Sequence, residues 1–383
     1  MNIESSVPAR VSTLELFFDL VFVFTITHVA AIVFEAPNWD GVGRAAITLS
    51  IIYWMYGGYA WLTNTNEPHT LERRVVLLAA MAGFFVCSLA VPTAFDESGL
   101  AFALAYLVVV LVHAAGFLVY NGSAALGPVS RILPWNLVST GLLLCAAWAH
   151  GTADWILWTA AVLVQLISPM VIRVGANFNI NAAHFAERHG LVILIVLGES
   201  LVSVGLASEH ERVDMRLAVG VLAGLLAAAV MWWMYFAGDD DRAAVAMDAA
   251  PAARRPVWAI TGYFMAHLVM IFGILLLAAG TRLSVDDLLV PSSWASAWLV
   301  ACGAGLYAAG SAAFRLALHF ATPWPRALGA VACLIAVLVG RYGSSAAELA
   351  AVAVLLAAPL LAEHRQDRRP AASPAEPSER MTA

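Results

Sequence analysis

Charged residues are scarce in this chain, and lysine is absent. Only 12% of its 383 residues are charged, and all 20 basic residues are arginine. A soluble domain carries about 25% charged residues, so this composition excludes a water-soluble globular protein. The formal net charge is −6, and no run of basic residues occurs that would bind nucleic acid.

Cysteine is also rare, and the motifs of several enzyme classes are missing. G-x-S-x-G, P-loop and C-x-x-C motifs do not occur. These absences disfavour hydrolase and thiol redox chemistry, and no cofactor is expected. The four cysteines all lie within apolar stretches, which predicts small core residues rather than a disulfide framework: Cys87, Cys145, Cys302 and Cys333.

Long apolar runs dominate the sequence instead. Hydrophobic residues make up 62% of the chain, and its mean hydropathy is +0.82. A membrane-spanning helix needs about 20 apolar residues, so the predicted fold is all-α, a polytopic transmembrane helical bundle of about twelve spans. The runs lie near residues 12–33, 44–63, 75–94, 100–120, 131–149, 154–174, 188–207, 215–237, 257–280, 294–314, 325–341 and 345–362.

Similar features recur in the two halves of the chain. Asp19 is followed after 35 residues by Trp54-Met-Tyr56, and Glu199 is followed after 34 residues by Trp233-Met-Tyr235. These correspondences predict two six-helix repeats related by an axis along the membrane normal. Two further pairs match at similar offsets: Arg131 with Arg326, and Pro169 with Pro359.

The arginines predict the orientation. Lys and Arg concentrate in cytoplasmic loops, and a cytoplasmic amino terminus places fifteen of the twenty arginines on that side. We therefore expect both termini to be cytoplasmic, in the cell membrane, with lipid as the surrounding partner. Residues 1–11 precede the first repeat (12–174), residues 175–187 form a cytoplasmic linker, and residues 188–362 form the second repeat. The tail, 363–383, is rich in Pro, Ser, Glu and Arg and is predicted to be disordered.

Two carboxylates lie inside predicted spans, where an ionised side chain costs at least about 2.5–3.5 kcal/mol. Asp19 lies in the first span, and Glu199 lies near the middle of the seventh, next to Ser200. Both acids are candidates for binding a cation or carrying a proton; the alternative is a carboxyl that is hydrogen-bonded or paired with arginine to lock two helices. Glu15 fits a capping box beginning at Ser12, but it also shares a helix face with Asp19 and joins the candidate set.

Three histidines also lie inside predicted spans. His28, His113 and His267 are candidate proton relays, because imidazole titrates near neutral pH. The alternative for each is a neutral side chain that hydrogen-bonds across a helix contact. His28 is nine residues from Asp19, half a turn away around the helix, so these two side chains are expected to have different neighbours.

The segment His184-Phe-Ala-Glu187-Arg188-His189 has metal-binding residue types without a metal-binding spacing. Its two histidines would lie about 140° apart around a helix, which disfavours a zinc site. No metal is therefore expected. We interpret Glu187 and Arg188 as an ion pair at the cytoplasmic entrance of the seventh span.

Two longer motifs resemble the bacterial low temperature requirement protein A (LtrA) family. They are Thr13-Leu-Glu-Leu-Phe-Phe-Asp-Leu-Val-Phe-Val23 and Glu187-Arg-His-Gly-Leu-Val-Ile-Leu-Ile-Val-Leu-Gly-Glu-Ser200. The likeness extends over nearly the whole chain and implies a multi-pass membrane protein whose biochemical activity is not established. The matching family positions are Glu15, Leu16, Phe17, Phe18, Asp19, Glu187, Arg188, Gly190, Leu197, Gly198, Glu199 and Ser200.

A fainter similarity exists to endolysosomal-type potassium channels, which are built from two six-helix repeats. Their first helix carries R-x-x-x-F-S-D. Here Arg10 and Phe18-Asp19 are present, but the spacing is longer and no serine precedes the aspartate. The similarity therefore implies a comparable architecture and leaves channel activity in doubt.

Three functional hypotheses follow from the sequence. The leading one is a transport protein in which Asp19 and Glu199 bind a cation or carry coupling protons, with a small ion or a proton as substrate. The second is an enzyme acting on lipid-linked substrates, with Glu199 or His267 as general base. The third is a structural or stress-adaptation protein in which both acids lock helices.

Overall fold

The computed structural model describes residues 11–64, 68–172, 180–207, 214–285 and 288–367. Within these ranges the chain is helical and contains no β-strand. Three of the predictions fall partly on other residues. Most of the predicted amino-terminal segment with Arg10, residues 175–179 of the predicted linker and the tail from residue 368 onward lie outside the described residues.

The described residues form fifteen α-helices, numbered here in chain order. A π-helix, Ala259–Ala266, joins the tenth helix to the eleventh. The α-helices are α1 (Thr13–Glu35), α2 (Trp39–Asn64), α3 (Leu71–Ala90), α4 (Gly99–Asn121), α5 (Leu126–Ala146), α6 (Thr152–Ile172), α7 (Ala182–Ala207), α8 (Met215–Phe236), α9 (Asp239–Ala249), α10 (Arg255–Trp258), α11 (His267–Arg282), α12 (Trp294–Leu318), α13 (Trp324–Cys333), α14 (Ala336–Tyr342) and α15 (Ser345–Asp367).

Nine segments of the described chain are long and apolar enough to cross a membrane, judged by length and composition. One of them, Gly99–Ala146, contains both α4 and α5 and is 48 residues long. Helices α2 and α7 are not among the nine, and both carry buried polar side chains such as Thr48 and Arg188. The all-α multi-pass membrane fold is confirmed, whereas the count of twelve spans stays a prediction.

The outward-facing helix surfaces are apolar. Leu222 on α8 and Leu328 and Val331 on α13 are largely exposed, as suits side chains that contact lipid. Large aromatic side chains are exposed at helix ends, among them Trp39 at the start of α2 and Tyr342 at the end of α14. Such aromatic side chains typically lie at the boundary between membrane and water.

The two Trp-Met-Tyr segments have comparable surroundings. The Tyr56 hydroxyl donates to Asp19 Oδ1 over 2.8 Å. The Tyr235 hydroxyl and His267 Nε2 are 2.9 Å apart and hydrogen-bonded. In each half the tyrosine therefore contacts a buried ionisable side chain on another helix.

Two further residue pairs suggested the repeat, and only one of them has similar positions in the two halves of the structure. Pro169 and Pro359 both lie inside long helices, α6 and α15. Arg131 is exposed, whereas Arg326 is buried. The division into two six-helix repeats stays a prediction, and we use "first half" for α1–α6 and "second half" for α7–α15.

The four cysteines are free thiols. Cys87 and Cys333 are buried, as predicted for core residues, and Cys302 is half-buried. The same prediction is wrong for Cys145, which is exposed on α5. Sequence pattern could not separate these cases, because the lipid-facing and buried faces of a membrane helix are both apolar.

The first turn of α1 contains the predicted capping box, which is confirmed. The Glu15 backbone N–H donates to Ser12 Oγ over 3.3 Å, and the Ser12 N–H donates to Glu15 Oε2 over 2.9 Å. These bonds satisfy two amide donors that a helix start leaves free. They also fix the start of α1 and hold the Glu15 carboxylate inside the protein.

Helices α11 and α12 approach so closely that their backbones touch. A Cβ atom added to Gly273 would lie 2.6 Å from both the Gly303 carbonyl oxygen and the Tyr307 backbone nitrogen. A Cβ added to Gly303 would lie 2.5 Å from the Leu277 backbone nitrogen. Small residues allow such approaches between membrane helices, so this pair forms a rigid centre for the second half.

We expect Gly273→Ala to lower the free energy of unfolding by about 1–3 kcal/mol, because the opposing backbone cannot move away without separating the helices. Gly141→Ala on α5 is the matched control, since nothing lies within 4 Å of the added Cβ. Alanine should leave that helix unchanged or stabilise it by up to about 1 kcal/mol. Denaturant unfolding in detergent measures both variants, and equal stability of the two would contradict the close approach.

Candidate functional site

A buried guanidinium lies where α1, α2 and α7 meet. Arg188 of α7 is fully buried and contacts a carboxylate on either side. Its Nη1 is 3.1 Å from Glu15 Oε1, and its Nη2 is 3.3 Å from Asp19 Oδ1. Nη1 also donates to the Thr63 hydroxyl near the end of α2. One side chain thus connects three helices, two of the first half and one of the second.

Helical spacing explains why these groups meet. Glu15 and Asp19 are four residues apart and share a face of α1, as His184 and Arg188 do on α7. The two faces oppose each other, so His184 Nε2 lies 3.3 Å from Glu15 Oε1. We call Glu15, Asp19, His184 and Arg188 the α1–α7 network.

Helix α2 closes the α1–α7 network from a third side. The Tyr56 hydroxyl donates to Asp19, and Thr63, which accepts from Arg188, lies two turns along the same face of α2. Phe18 and Tyr56 also place their rings 5.4 Å and 5.7 Å from the Arg188 guanidinium carbon. Aromatic faces attract a cation, so these rings help to compensate for the lost water around Arg188.

The end of α2 is fixed to the start of α7 by amide hydrogen bonds. The Asn64 side chain donates to the Asn181 carbonyl over 2.9 Å and accepts from the Asn181 N–H over 2.7 Å. Asn181 Oδ1 in turn accepts from the His184 N–H over 3.3 Å. These bonds hold His184 and the turn after it in place against α1.

The charges of the α1–α7 network do not balance through its arginine alone. Glu15 and Asp19 carry two negative charges when ionised, and Arg188 supplies one positive charge. Among the described residues, Asp19 Oδ2 is buried and has no hydrogen-bond partner. Low-dielectric surroundings strongly penalise an uncompensated charge, so two ionised carboxylates exceed what Arg188 alone compensates.

A second buried ion network lies in the second half and contains more than one arginine. Arg315 contacts Asp239 over 2.8 Å and Glu363 over 2.6 Å. Arg326 contacts the same two acids over 2.7 Å and 3.3 Å. Two buried arginines therefore face two carboxylates and connect α9, α12, α13 and α15. The half-exposed Arg242 lies 3.9 Å from Asp239 as well, so each acid of this group has at least one arginine.

Asp19 and Glu199 are not brought into contact. Glu199 is buried on α7 near Thr27 of α1, whose hydroxyl donates to the Val23 carbonyl over 3.2 Å. Thr27 is eight residues beyond Asp19, which corresponds to roughly 12 Å along the helix. The two predicted site acids thus lie along one α1–α7 interface at different heights along the helices.

The remaining candidates of the ion-binding set lie apart from Arg188. The Ser200 hydroxyl donates to the Leu197 carbonyl of its own helix. His28 Nδ1 lies 2.9 Å from the Phe24 carbonyl, also in its own helix. His267 hydrogen-bonds to Tyr235 through Nε2 and to the Gly262 carbonyl through Nδ1, whereas His113 is buried on α4.

The predicted ion pair between Glu187 and Arg188 is wrong. Consecutive helix residues point about 100° apart, so Arg188 enters the protein while Glu187 is exposed and accepts from the Val11 N–H over 3.3 Å.

The two glycines of the family motifs differ in their surroundings. A Cβ added to Gly190 would lie 3.4 Å from the Phe236 ring, whereas nothing lies within 4 Å of one added to Gly198. In the described part of the chain, no group of three or more His, Cys, Asp or Glu side chains could hold a metal ion.

The partners of Arg188 on α2 do not stand out in the sequence as site residues. Tyr56 stands out only as part of a repeated motif, and Thr63 does not stand out at all. The available signal is their spacing: Tyr56 and Thr63 are seven residues apart, two turns on one face. His184 was considered only as a metal ligand, although its position four residues before Arg188 places both side chains on one helix face.

The fold and the α1–α7 network define a multi-pass helical membrane protein with ionised side chains paired inside its helix bundle. The family model described as bacterial low temperature requirement A protein (LtrA) matches residues 10–362. The chain belongs to the LtrA family, and the resemblance seen in the two motifs is confirmed.

One similar protein is an uncharacterized protein of Rhizobium meliloti (strain 1021). It is 26% identical over 214 residues, a match that covers 53% of this chain and 52% of the relative. The matched part thus spans about half of the length of that relative. No solved structure matches the chain.

Removal of the arginine tests the α1–α7 network. We expect Arg188→Met to lower the free energy of unfolding by about 3–5 kcal/mol, because two buried carboxylates lose their cationic partner. Arg131→Met, at an exposed position on α5, should change it by no more than about 0.5 kcal/mol. Denaturant unfolding in detergent gives both values. A wild-type stability for Arg188→Met would exclude ion pairing at this position.

Proposed function

We propose that the protein is a transport protein of the cell membrane that carries a proton or a monovalent cation. The observation behind the proposal is the charge imbalance of the α1–α7 network, where Glu15 and Asp19 face a single arginine. Such an arrangement is stable only with one further positive charge. A proton or cation bound by the acids can dissociate, whereas the charge of a second arginine could not. A transport protein needs a site that binds and releases its substrate in this way.

The buried network around Arg315 and Arg326 provides a comparison that supports an exchangeable charge at Asp19. Arg315 and Arg326 contact Asp239 and Glu363, and Arg242 lies 3.9 Å from Asp239, so each acid of that network has at least one arginine. Arg188 is instead shared between two acids, and Asp19 Oδ2 points at no donor among the described residues. The difference between the two networks favours an exchangeable charge at Asp19.

In this proposal the proton or cation moves along the α1–α7 interface. Asp19 and Glu199 lie along this single interface, roughly 12 Å apart by helix rise. The interface also separates the first half from the second, and transporters commonly bind their substrates where such halves meet. In this proposal Asp19 receives the proton or cation from one side and Glu199 is the next acid along the path.

The proposal includes a membrane placement. The arginine distribution favours a cytoplasmic location for the end of the bundle that holds the α1–α7 network. Asp19 would then exchange with the cytoplasm, and Glu199 would lie nearer the opposite side. The exposed apolar helix faces would contact lipid.

A helix lock is the second candidate. Arg188 contacts α1 and α2 of the first half from α7 of the second, so the α1–α7 network also holds the halves together. In that case the acids carry no exchangeable charge, and their amide variants would weaken folding without changing any flux.

Flux measurements separate these candidates. In liposomes containing the purified protein, we expect flux of H⁺, Na⁺ or K⁺ above that of empty liposomes. Asp19→Asn should reduce it at least tenfold, because the amide leaves Glu15 and Arg188 balanced and removes the exchangeable charge. Asp248→Asn, at an exposed position on α9, is the matched control and should conduct like the wild type.

Two results would refute transport. One is a wild-type flux equal to that of empty liposomes for all three cations. The other is an unchanged flux in an Asp19→Asn protein whose folding is confirmed by size-exclusion chromatography. A loss of stability in Asp19→Asn without loss of flux would favour the helix lock.

A further inference from the structure

A buried carboxyl group lies at the end of the second half opposite the ion network of Arg315 and Arg326. Glu348 is in the first turn of α15 and has no exposed surface. Glu363, which contacts Arg315, is fifteen residues further along the same helix, roughly 22 Å away. Neither the α1–α7 network nor the transport proposal involves Glu348, so its charge state depends on its own surroundings.

Three segments of the second half are joined by backbone hydrogen bonds around Glu348. The Ser292 N–H donates to the Gly340 carbonyl over 2.9 Å, which connects the segment before α12 to α14. The Ser345 N–H donates to the Val290 carbonyl over 3.1 Å, which connects the same segment to the start of α15. The carboxyl group is therefore enclosed where these three segments meet.

Two serine hydroxyls contact each other and the carboxyl group. Ser292 Oγ donates to Glu348 Oε2 over 3.0 Å, and the hydroxyl oxygens of Ser292 and Ser345 are 2.9 Å apart. These separations lie within the range of O–H···O hydrogen bonds, so protons rather than a metal ion lie between the oxygens. A chain of two hydroxyls thus ends at the carboxyl group.

The second carboxyl oxygen has no such contact. Glu348 Oε1 is buried and has no hydrogen-bond partner in the described part of the chain. The backbone of α14 lies directly against the carboxyl group, since a Cβ added to Gly340 would overlap Oε2 and lie 3.1 Å from Oε1. The described surroundings thus supply one donor to a group that needs several when it is ionised.

Glu348 also has no ion-pair partner among the described residues. The residues 288–293 carry no titratable side chain. Arg341 of α14 packs over a tryptophan ring of α12, and Arg216 is exposed in the first turn of α8. Arg315 of α12 and Arg326 of α13 belong to the ion network at the other end. The other titratable groups described on the helices packed against α15 are Asp214, Tyr235, Cys302, Tyr307, Cys333 and Tyr342, and none of them bonds to Glu348.

We propose that Glu348 is a proton-binding site and that its neutral carboxyl group holds the segment before α12 together with α14 and α15. An ionised carboxylate with one donor and no cation is strongly disfavoured inside a protein. A protonated carboxyl both donates and accepts, so it pairs with Ser292 whichever way the hydroxyl chain runs. Loss of the proton would place an uncompensated charge where the three segments meet and would separate them.

Infrared spectroscopy of the purified protein in detergent tests the proposal. A protonated carboxyl group has a carbonyl stretching band that an ionised carboxylate lacks. At neutral pH we expect the difference spectrum between wild type and Glu348→Gln to contain one such band. Glu72→Gln on α3 is the matched control, and its difference spectrum should lack the band, because Glu72 is exposed and an exposed glutamate is ionised at this pH.

The bound proton also links stability to pH. Glutamate in an unfolded chain loses its proton near about pH 4.3, whereas folded Glu348 keeps it, so above that pH the folded state binds one proton more. The unfolding equilibrium constant of the wild type should therefore rise relative to that of Glu348→Gln by about tenfold per pH unit between about pH 5 and 7. Denaturant unfolding in detergent measures this ratio, and Glu72→Gln should follow the wild type.

Two results would overturn the proposal. One is a Glu348→Gln difference spectrum without the band of a protonated carboxyl, which is also the result that a bound Na⁺ or K⁺ would give. The other is an identical pH dependence of unfolding in the wild type and in folded Glu348→Gln.

A second variant keeps the test decisive if the amide does not fold. Glu348→Met has a side chain of similar length without ionisable oxygens, and it should lose the same infrared band and the same pH dependence. The proposal does not rest on ion transport, because neither measurement involves flux. The two proposals therefore fail separately.

Discussion

The structure depends on one buried guanidinium. Arg188 has its nearest partners on two other helices, Glu15 and Asp19 on α1 and Thr63 on α2. Without them, the cost of removing an arginine from water would prevent α7 from packing against α1. The capping box at Ser12 also supports this packing. It fixes the start of α1 and therefore the position along the helix at which Glu15 contacts Arg188.

Charge balance distinguishes the two buried ion networks and connects structure to function. In the Asp239, Arg315, Arg326 and Glu363 group each acid has at least one arginine, and the group joins four helices of the second half. In the α1–α7 network Glu15 and Asp19 share one arginine, with His184 beside Glu15, and this network lies between the halves. Under the proposed transport function, the network with an arginine for each acid holds helices together, and the α1–α7 network exchanges a charge.

The helical membrane fold follows from composition and apolar run length, which depend on each helix alone. Membership in the α1–α7 network was predictable only in part. The four-residue spacing of Glu15 and Asp19 revealed a shared face, but the arginine that meets it is 169 residues further along the chain than Asp19. The sequence suggests an ion pair between Arg188 and Glu187 because the two residues are adjacent. Adjacent residues on a helix, however, point in different directions. Cys145 could not be placed, because apolar faces toward lipid and toward protein look alike in sequence.

The most direct test of the central claim is the free energy of unfolding in detergent, measured against pH and against Na⁺ and K⁺ concentration in the wild type and in Asp19→Asn. Glu15, Tyr56 and Arg188 face Asp19, and His184 faces Glu15 in both proteins. The amide leaves Glu15 and Arg188 neutral as a pair. The account predicts a dependence in the wild type that the variant lacks, equivalent to one proton or cation, or about 1.4 kcal/mol per tenfold change in its concentration. Identical dependence in both proteins would contradict an exchangeable charge at Asp19.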